Sequence, residues 1–268
     1  MKVIFIADTH LTKRNAKGYR NLMAFLDSLS GKAGGNGKRN AKSGEAKDHT
    51  GNIAGVDDLY ILGDFFDFWF SEGHVIYPEF VIIVEKLIEL KERGIRIHLC
   101  EGNHDFFLDD YFTGQLGIEV IKEWAALDLD DRRVLISHGD TVDERNVRYL
   151  LLRRILRSSY FYRLQRLLPI TFLWKAGWIS SNLSKGLIAE TADALEEKMR
   201  RFSSRKFKDG FDAVILGHCH KHLIEESTTN GAKKTFVILG DWLRHNSYLC
   251  YENGAFALAK FRPPQTKG

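Results

Sequence analysis

An α/β layered fold is what this sequence predicts, and three observations carry the expectation. Short apolar, β-branched runs alternate with helical spacing through the first half of the chain. After residue 210 strands follow one another across turn signals, and small groups of Asp, His and Asn close five of the strands. The first strand, at 3–7, opens the chain. Its apolar stretch is too short for a signal peptide and ends at the Asp8 carboxylate. Buried strands follow at 59–62, 95–99 and 134–137. Between the second and third strands, Phe80, Ile83, Val84, Leu87 and Leu90 recur at helical spacing. Strands at 213–216, 236–239, 247–251 and 255–260 form the later series, with hairpin turns at Asn230-Gly231 and Asn253-Gly254.

Two stretches depart from this rhythm. Residues 31–55, rich in Gly, Lys and Asn, hold almost nothing to bury and read as a mobile surface-loop insertion within one domain spanning 1–268. Residues 143–203 read as helical and basic. Leu152, Ile155 and Leu156, then Phe161, Leu164 and Leu168, give apolar faces, and Pro169 and Gly177 are expected to break the segment. Ala192, Leu195, Met199 and Phe202 line one side of a further helix.

The 44% hydrophobic and 28% charged content excludes a wholly disordered chain. A length of 268 residues buries a core without disulfides or an obligate protein partner. No apolar run approaches a transmembrane helix, so the chain is expected in the cytosol. Cys100, Cys219 and Cys250 are widely spaced and read as free thiols, Cys219 as a small residue in a crowded turn. The net charge of +4 conceals an asymmetry. Residues 145–189 carry nine basic side chains and no acidic one, which leaves −5 for the remainder. Such a segment points to an anionic partner: phosphate, nucleic acid or membrane.

The strand-closing groups are Asp8-Thr9-His10, Gly63-Asp64, Gly102-Asn103-His104-Asp105, His138-Gly139-Asp140 and Gly217-His218-Cys219-His220. Ligands of α/β sheets bind in the crevice beyond the carboxyl ends of strands, so five groups on such ends can share one cavity. Imidazole and carboxylate without thiolate suit Mn²⁺, Fe²⁺ or Zn²⁺. Any one of these groups could be a cap, a turn or a packed histidine. All five, in order, are hard to reach by coincidence.

In these motifs the chain resembles the calcineurin-like metallophosphoesterase family, whose pattern runs D-x-H, G-D, G-N-H-D, H-G and G-H-x-H, from residue 3 to about residue 240. The resemblance implies a four-layer αββα sandwich with an inserted helical lid at 143–203, and two divalent metal ions, with Mn²⁺ expected. One ion would take Asp8, His10 and His220, the other Asn103, His138 and His218, with Asp64 bridging. Two cations roughly 3.5–4 Å apart need a shared anionic ligand, and a water between them becomes acidic enough to attack phosphorus in line. His104, Asp64 and Asn103 would form the catalytic set, with His104 stabilising the oxyanion or protonating the leaving oxygen.

A closer resemblance lies in Gly63-Asp64-Phe65-Phe66-Asp67-Phe68-Trp69, which is similar to the G-D-x-F-[ED]-x-W signature of the UDP-2,3-diacylglucosamine diphosphatases of lipid A synthesis. Tyr149, Arg153 and Arg157 resemble that family's Y-x3-R-x3-R helix and share one helical face, where two guanidiniums could meet phosphates. The resemblance implies hydrolysis of the pyrophosphate of UDP-2,3-diacylglucosamine to UMP and 2,3-diacylglucosamine 1-phosphate. Asn103, His104, Tyr149, Arg153 and Arg157 would hold this UDP-linked acylated sugar, and the enzyme would sit peripherally on the anionic cytoplasmic face of the inner membrane. Three departures stand out: His104 replaces the Arg of the best-known members, residues 144–148 match poorly, and the 31–55 insertion is additional. The alternatives are a phosphodiesterase or nuclease of another substrate, and a non-catalytic scaffold. Phe161, Phe172, Leu173, Trp174 and Trp178 make the basic segment too apolar for tracking nucleic acid. A scaffold should have lost ligands, and all seven are present.

Overall fold

The computed structural model describes residues 1–30, 48–49, 53–184, 191–229 and 231–263. Strand β1 (Lys2–Ile6) is apolar at every position after its first, the pattern of a strand covered on both faces. Ile4 and Ile6 pack towards helices, while Val3 and Phe5 pack towards a second sheet. Around β1 lie α1 (Lys17–Leu29), β2 (Asp48–His49), β3 (Asp58–Leu62), α2 (Val81–Glu92), β4 (Arg96–Cys100), α3 (Asp109–Leu116) and β5 (Glu119–Ile121). Then come β6 (Trp124–Leu129) and β7 (Arg132–Ser137), followed by α4 (Val147–Leu156), α5 (Ser159–Gln165), α6 (Ile170–Ser184) and α7 (Ala192–Lys208). The chain continues through β8 (Ala213–Leu216), β9 (His222–Thr229), β10 (Ala232–Leu239), β11 (Ser247–Glu252) and β12 (Ala255–Phe261).

The first sheet has the order β2-β12-β11-β1-β3-β4-β5 and the second β6-β7-β8-β10-β9. Strands β1, β3 and β4 run parallel, as do β7, β8 and β10, so the carboxyl ends of the motif-bearing strands share an edge of each sheet. Helices α1 to α3 cover the first sheet's outer face, where Leu22, Phe25 and Leu26 of α1 are fully buried. Each such side chain contributes about 1.5–3 kcal/mol on burial. Phe5, Leu62, Ile136, Ile215, Val237 and Tyr251 fill the space between the sheets. Met199 and Phe202 of α7 pack on Val214, Leu216 and Ile238 of the second sheet. The layers are αββα, as expected.

The structure redraws three sequence expectations. Helix α7, grouped in sequence with the lid, is the outer layer of the second sheet, so the inserted helices are α4 to α6. Gly177 does not break its segment but lies inside α6, where a Cβ would stand 2.9 Å from the Phe68 ring. The glycine lets the helix approach that ring. In the 31–55 stretch only 48–49 and 53–55 are described; β2 pairs with β12, and Ile53 is buried in the core beside α1. The rest of that expected insertion lies outside the described residues.

Strands β5, β6 and β9 and helix α3 were not legible in sequence. β6 and β9 are edge strands, and β9 keeps no residue fully buried, so the apolar alternation that marks a strand is missing. One hairpin signal forms its turn: Asn253 and Gly254 take φ of 54° and 76° between β11 and β12. Of the other, Gly231 lies between β9 and β10 with φ of 78°, and Asn230 lies outside the described residues.

Candidate active site

Each motif begins where a buried strand ends, so the sheet positions its side chains before any side-chain contact forms. Asp8 and His10 follow β1, Asp64 follows β3, Asn103 and His104 follow β4, His138 follows β7, and His218 and His220 follow β8. The two sheet edges meet tightly here. A Cβ on Gly217 would lie 2.8 Å from both Ala7 Cβ and Asp8 Oδ2, which accounts for the glycine of G-H-x-H. Nine non-glycine residues among those described have positive φ, and Asp8, His10, Asp64, His218 and His220 are five of them. Left-handed backbone costs energy in such residues and persists where the surroundings over-determine it, characteristically at functional sites.

The ring nitrogens form two convergent sets. His138 Nδ1 donates to the Leu62 carbonyl at 3.0 Å, so in the neutral ring Nε2 is a lone pair. That lone pair lies 2.9 Å from Asn103 Oδ1 and 3.4 Å from Asp64 Oδ2, with His218 completing the group. In the other set, His10 Nε2 and His220 Nε2 are 3.3 Å apart. Asp8 Oδ1 lies 3.4 Å from His220, and Asp64 Oδ2 lies 3.7 Å from His10. The Asp64 carboxylate thus stands beside both sets. Acceptors facing one another at these distances repel unless protons or cations stand among them, and the burial of Asp8, Asp64 and His138 removes water as a remedy. The donor set fits two divalent cations.

The carboxylates also draw protons towards the imidazoles, which bound cations would displace. Burial disfavours an imidazolium at His138, yet Asp64, Asp8 and Asp140 outweigh it and push the ring up to about 10. Burial would likewise raise Asp64, but His138, His104 and His10 hold it well below the usual carboxylate value. At Asp8 burial wins and the carboxyl is raised. Burial and the neighbouring His138 push His218 down to about 4, towards the neutral ring a metal requires.

Several contributors had no role assigned from sequence. Asp67 Oδ1 lies 3.3 Å from His10 Nδ1, and its backbone carbonyl lies 3.2 Å from His104 Nδ1. Asp105 accepts backbone N–H bonds from Asp64, Phe65, Phe66 and Gly102, tying the second motif to the third. Asp241 Oδ2 lies 3.6 Å from His220 Nδ1. A sequence signal existed for it, since Gly240-Asp241 follows a strand just as Gly63-Asp64 does. Cys219 is buried in its turn and its Sγ donates to the Ala192 carbonyl at 3.4 Å; burial pushes the thiol up to about 11. Tyr149, Arg153 and Arg157 do share a face of α4, but the guanidiniums are engaged by carboxylates: Arg153 by Asp140 and Glu123, Arg157 by Glu101.

Two sheets with their strand ends converging on a buried Asp/His/Asn cluster define a metal-dependent phosphoesterase, and the sequence profile of the calcineurin-like phosphoesterase family matches residues 1–222. The chain belongs to that family and is a metal-dependent hydrolase. It is similar to a UDP-2,3-diacylglucosamine hydrolase of Pseudomonas putida strain F1, at 28% identity over 97% of this chain and 98% of that one. Hydrolases of the same name from Azotobacter vinelandii (28% identical, 97% of this chain, 99% of that one) and Vibrio atlanticus (26%, 76% and 83%) are also similar. Among solved structures, an archaeal phosphodiesterase superposes with a TM-score of 0.45 at 14% identity, over 97% of this chain and 99% of that one.

Proposed function

We propose that this enzyme hydrolyses the pyrophosphate of UDP-2,3-diacylglucosamine, giving UMP and 2,3-diacylglucosamine 1-phosphate, with two Mn²⁺ ions. The observation that carries the reading is the placement of seven candidate ligands, Asp8, His10, Asp64, Asn103, His138, His218 and His220, at one strand edge next to helices rich in exposed apolar residues. The names of the similar hydrolases support the substrate. Bound there, two divalent cations would supply charge neutralisation at the phosphoryl oxygens and a water acidified towards neutral pH. The chain's own residues orient the rest. The His104 N–H donates to Asp64 Oδ1 at 2.9 Å, and the ring's Nδ1 rests against the Asp67 carbonyl, leaving Nε2 for the phosphate or the departing oxygen.

Eleven of the sixteen exposed large hydrophobic side chains among the described residues lie between Val147 and Ile179. Soluble surfaces seldom gather so many, and acyl chains or a bilayer would cover them. Arg145, Arg148, Arg154, Arg163 and Lys175 are exposed on the same segment, each contributing about 1 kcal/mol beside an anionic leaflet. Peripheral binding to the cytoplasmic face of an anionic membrane follows as part of the proposal. Among the described residues no helix is long and apolar enough to cross a membrane.

The test is turnover of UDP-2,3-diacylglucosamine beside a chromogenic phosphodiester and single-stranded DNA, with Mn²⁺. UMP release from the lipid nucleotide at a kcat/KM far above the other two is expected. Preference for DNA or the small diester would overturn the substrate and leave a phosphodiesterase.

A further inference from the structure

Helix α4 sits against both loops that would serve one cation. Tyr149 Oη donates to Asp140 Oδ2 at 2.6 Å, and Arg153 Nε donates to the same oxygen at 2.8 Å. One turn on, Arg157 Nη1 donates to Glu101 Oε2 at 2.9 Å and Nη2 donates to the Gly102 carbonyl at 2.5 Å. Glu101 in turn accepts the Leu108 N–H at 3.1 Å, closing the loop from the other end. Asp140 stands two residues beyond His138, and Gly102 one residue before Asn103. These are the two side chains whose ligating atoms lie 2.9 Å apart. Spacing of i, i+4 and i+8 puts all three contacts on one face of the helix.

We propose that Tyr149, Arg153 and Arg157 are positioning residues: α4 is a clasp that holds the Gly102–His104 and His138–Asp140 loops together and so fixes the cation pocket of Asn103, His138 and His218. The inference rests on the dinuclear reading above and changes the role that the sequence resemblance implies for these residues. The carboxylates they grip are deeply buried, Asp140 at 2% and Glu101 at 6% side-chain exposure. A phosphate that drew either guanidinium away would strand a buried carboxylate, which is among the costliest changes a protein interior can suffer. Holding the ligand loops carries no such cost. Partners of this kind, one bond removed from the metal, tune affinity rather than contact substrate.

The experiment titrates Mn²⁺ into the metal-stripped full-length protein by calorimetry, for the parent, Arg157→Ala, Arg157→Lys and Tyr149→Phe. The parent should take up two ions. Arg157→Ala should weaken one of them about 10–100-fold and leave the other unchanged. Arg157→Lys should recover part of the loss. Tyr149→Phe, which removes a single hydroxyl and serves if Arg157→Ala does not fold, should weaken the same ion by a smaller factor. Hydrolysis of a chromogenic phosphodiester by the variants should fall at limiting Mn²⁺ and recover when Mn²⁺ is raised. Unchanged affinity for both ions, with only the KM for the lipid nucleotide increased, would overturn the clasp and make Arg157 a phosphate ligand. A parent that binds fewer than two ions would overturn the dinuclear reading, and the clasp with it.

Discussion

At the strand edge, polar side chains are buried and fixed: Asp8, Asp64 and His138 are almost wholly inaccessible, and His138 is held by a backbone carbonyl. A few turns of chain away, on α4 to α6, the ordinary relation is inverted. Leu167, Tyr160 and Val147 are 80%, 77% and 67% exposed, and α4 buries no residue at all. The first region spends backbone strain and desolvation to hold donors in one geometry; the second forgoes the stabilisation its apolar side chains would gain in a core. The contrast separates two tasks. Chemistry needs a preorganised polar cluster that does not rearrange. Engagement of an apolar ligand or surface needs side chains left free until the ligand arrives.

The largest expected effect breaks the polar side of this comparison. Asp64 stands beside both imidazole sets, so Asp64→Ala should cost about 10³-fold or more in turnover, the scale of a single essential catalytic group. His10→Ala should chiefly weaken one metal. Near-normal turnover of Asp64→Ala at saturating Mn²⁺ would dissolve the two-metal assignment.

The apolar side breaks differently. Replacing Leu164, Leu167 and Phe172 by Ser should reduce cosedimentation with anionic vesicles at least about tenfold, since each buried side chain is worth about 1.5–3 kcal/mol. Hydrolysis of a soluble phosphodiester should stay within about twofold. High salt should weaken attachment of the parent through its exposed arginines. If the parent remains in the supernatant with anionic vesicles at low salt, the membrane part of the proposal is lost and the acyl-chain part stands.

A smaller effect probes the seam between the regions. Gly177→Ala places a methyl against Phe68, and overpacking of this kind costs about 1–3 kcal/mol. At about 2–4 °C per kcal/mol, thermal unfolding should show a modest drop in Tm. An unchanged Tm would mean that α6 sits less closely on Phe68 than the structure has it.

The smallest effect is a pH dependence at the same seam. Burial would raise the Asp140 carboxyl, but His138, Arg153 and the Tyr149 hydroxyl hold it below 3.8. The contact therefore stabilises the ionised form. Its stability is fully present above pH 3.8 and is lost as the pH falls through the lower folded value. The Tm difference between parent and Tyr149→Phe should be constant from pH 7 to about 5 and shrink in more acid solution. A gap that widened on acidification would reverse the assignment of the charged state.

The strand-end motifs were legible because they are local: a buried apolar run followed by Asp, His or Asn announces both a strand and its functional end. Core strands β1, β3, β4, β7 and β8 could be read for the same reason, as could the apolar face of α7 with Met199 and Phe202. Edge strands β6 and β9 could not, because their identity comes from pairing with β7 and β10 and not from their own composition. The partners of Arg153 and Arg157 were equally hidden. Nothing in the spacing of Arg157 tells that Glu101, 56 residues earlier, would be its neighbour.

By itself, then, the sequence determined an α/β layered fold and candidate Asp, His and Asn ligands placed at strand ends, since periodicity and residue chemistry are properties of short segments. Only the tertiary structure decided that α7 belongs to the second sheet, that Gly177 serves close packing, that Asp67 and Asp241 stand behind histidines, and that the α4 arginines grip carboxylates. Those facts depend on which segments meet in space, and long-range contact is set by the burial of the whole chain together.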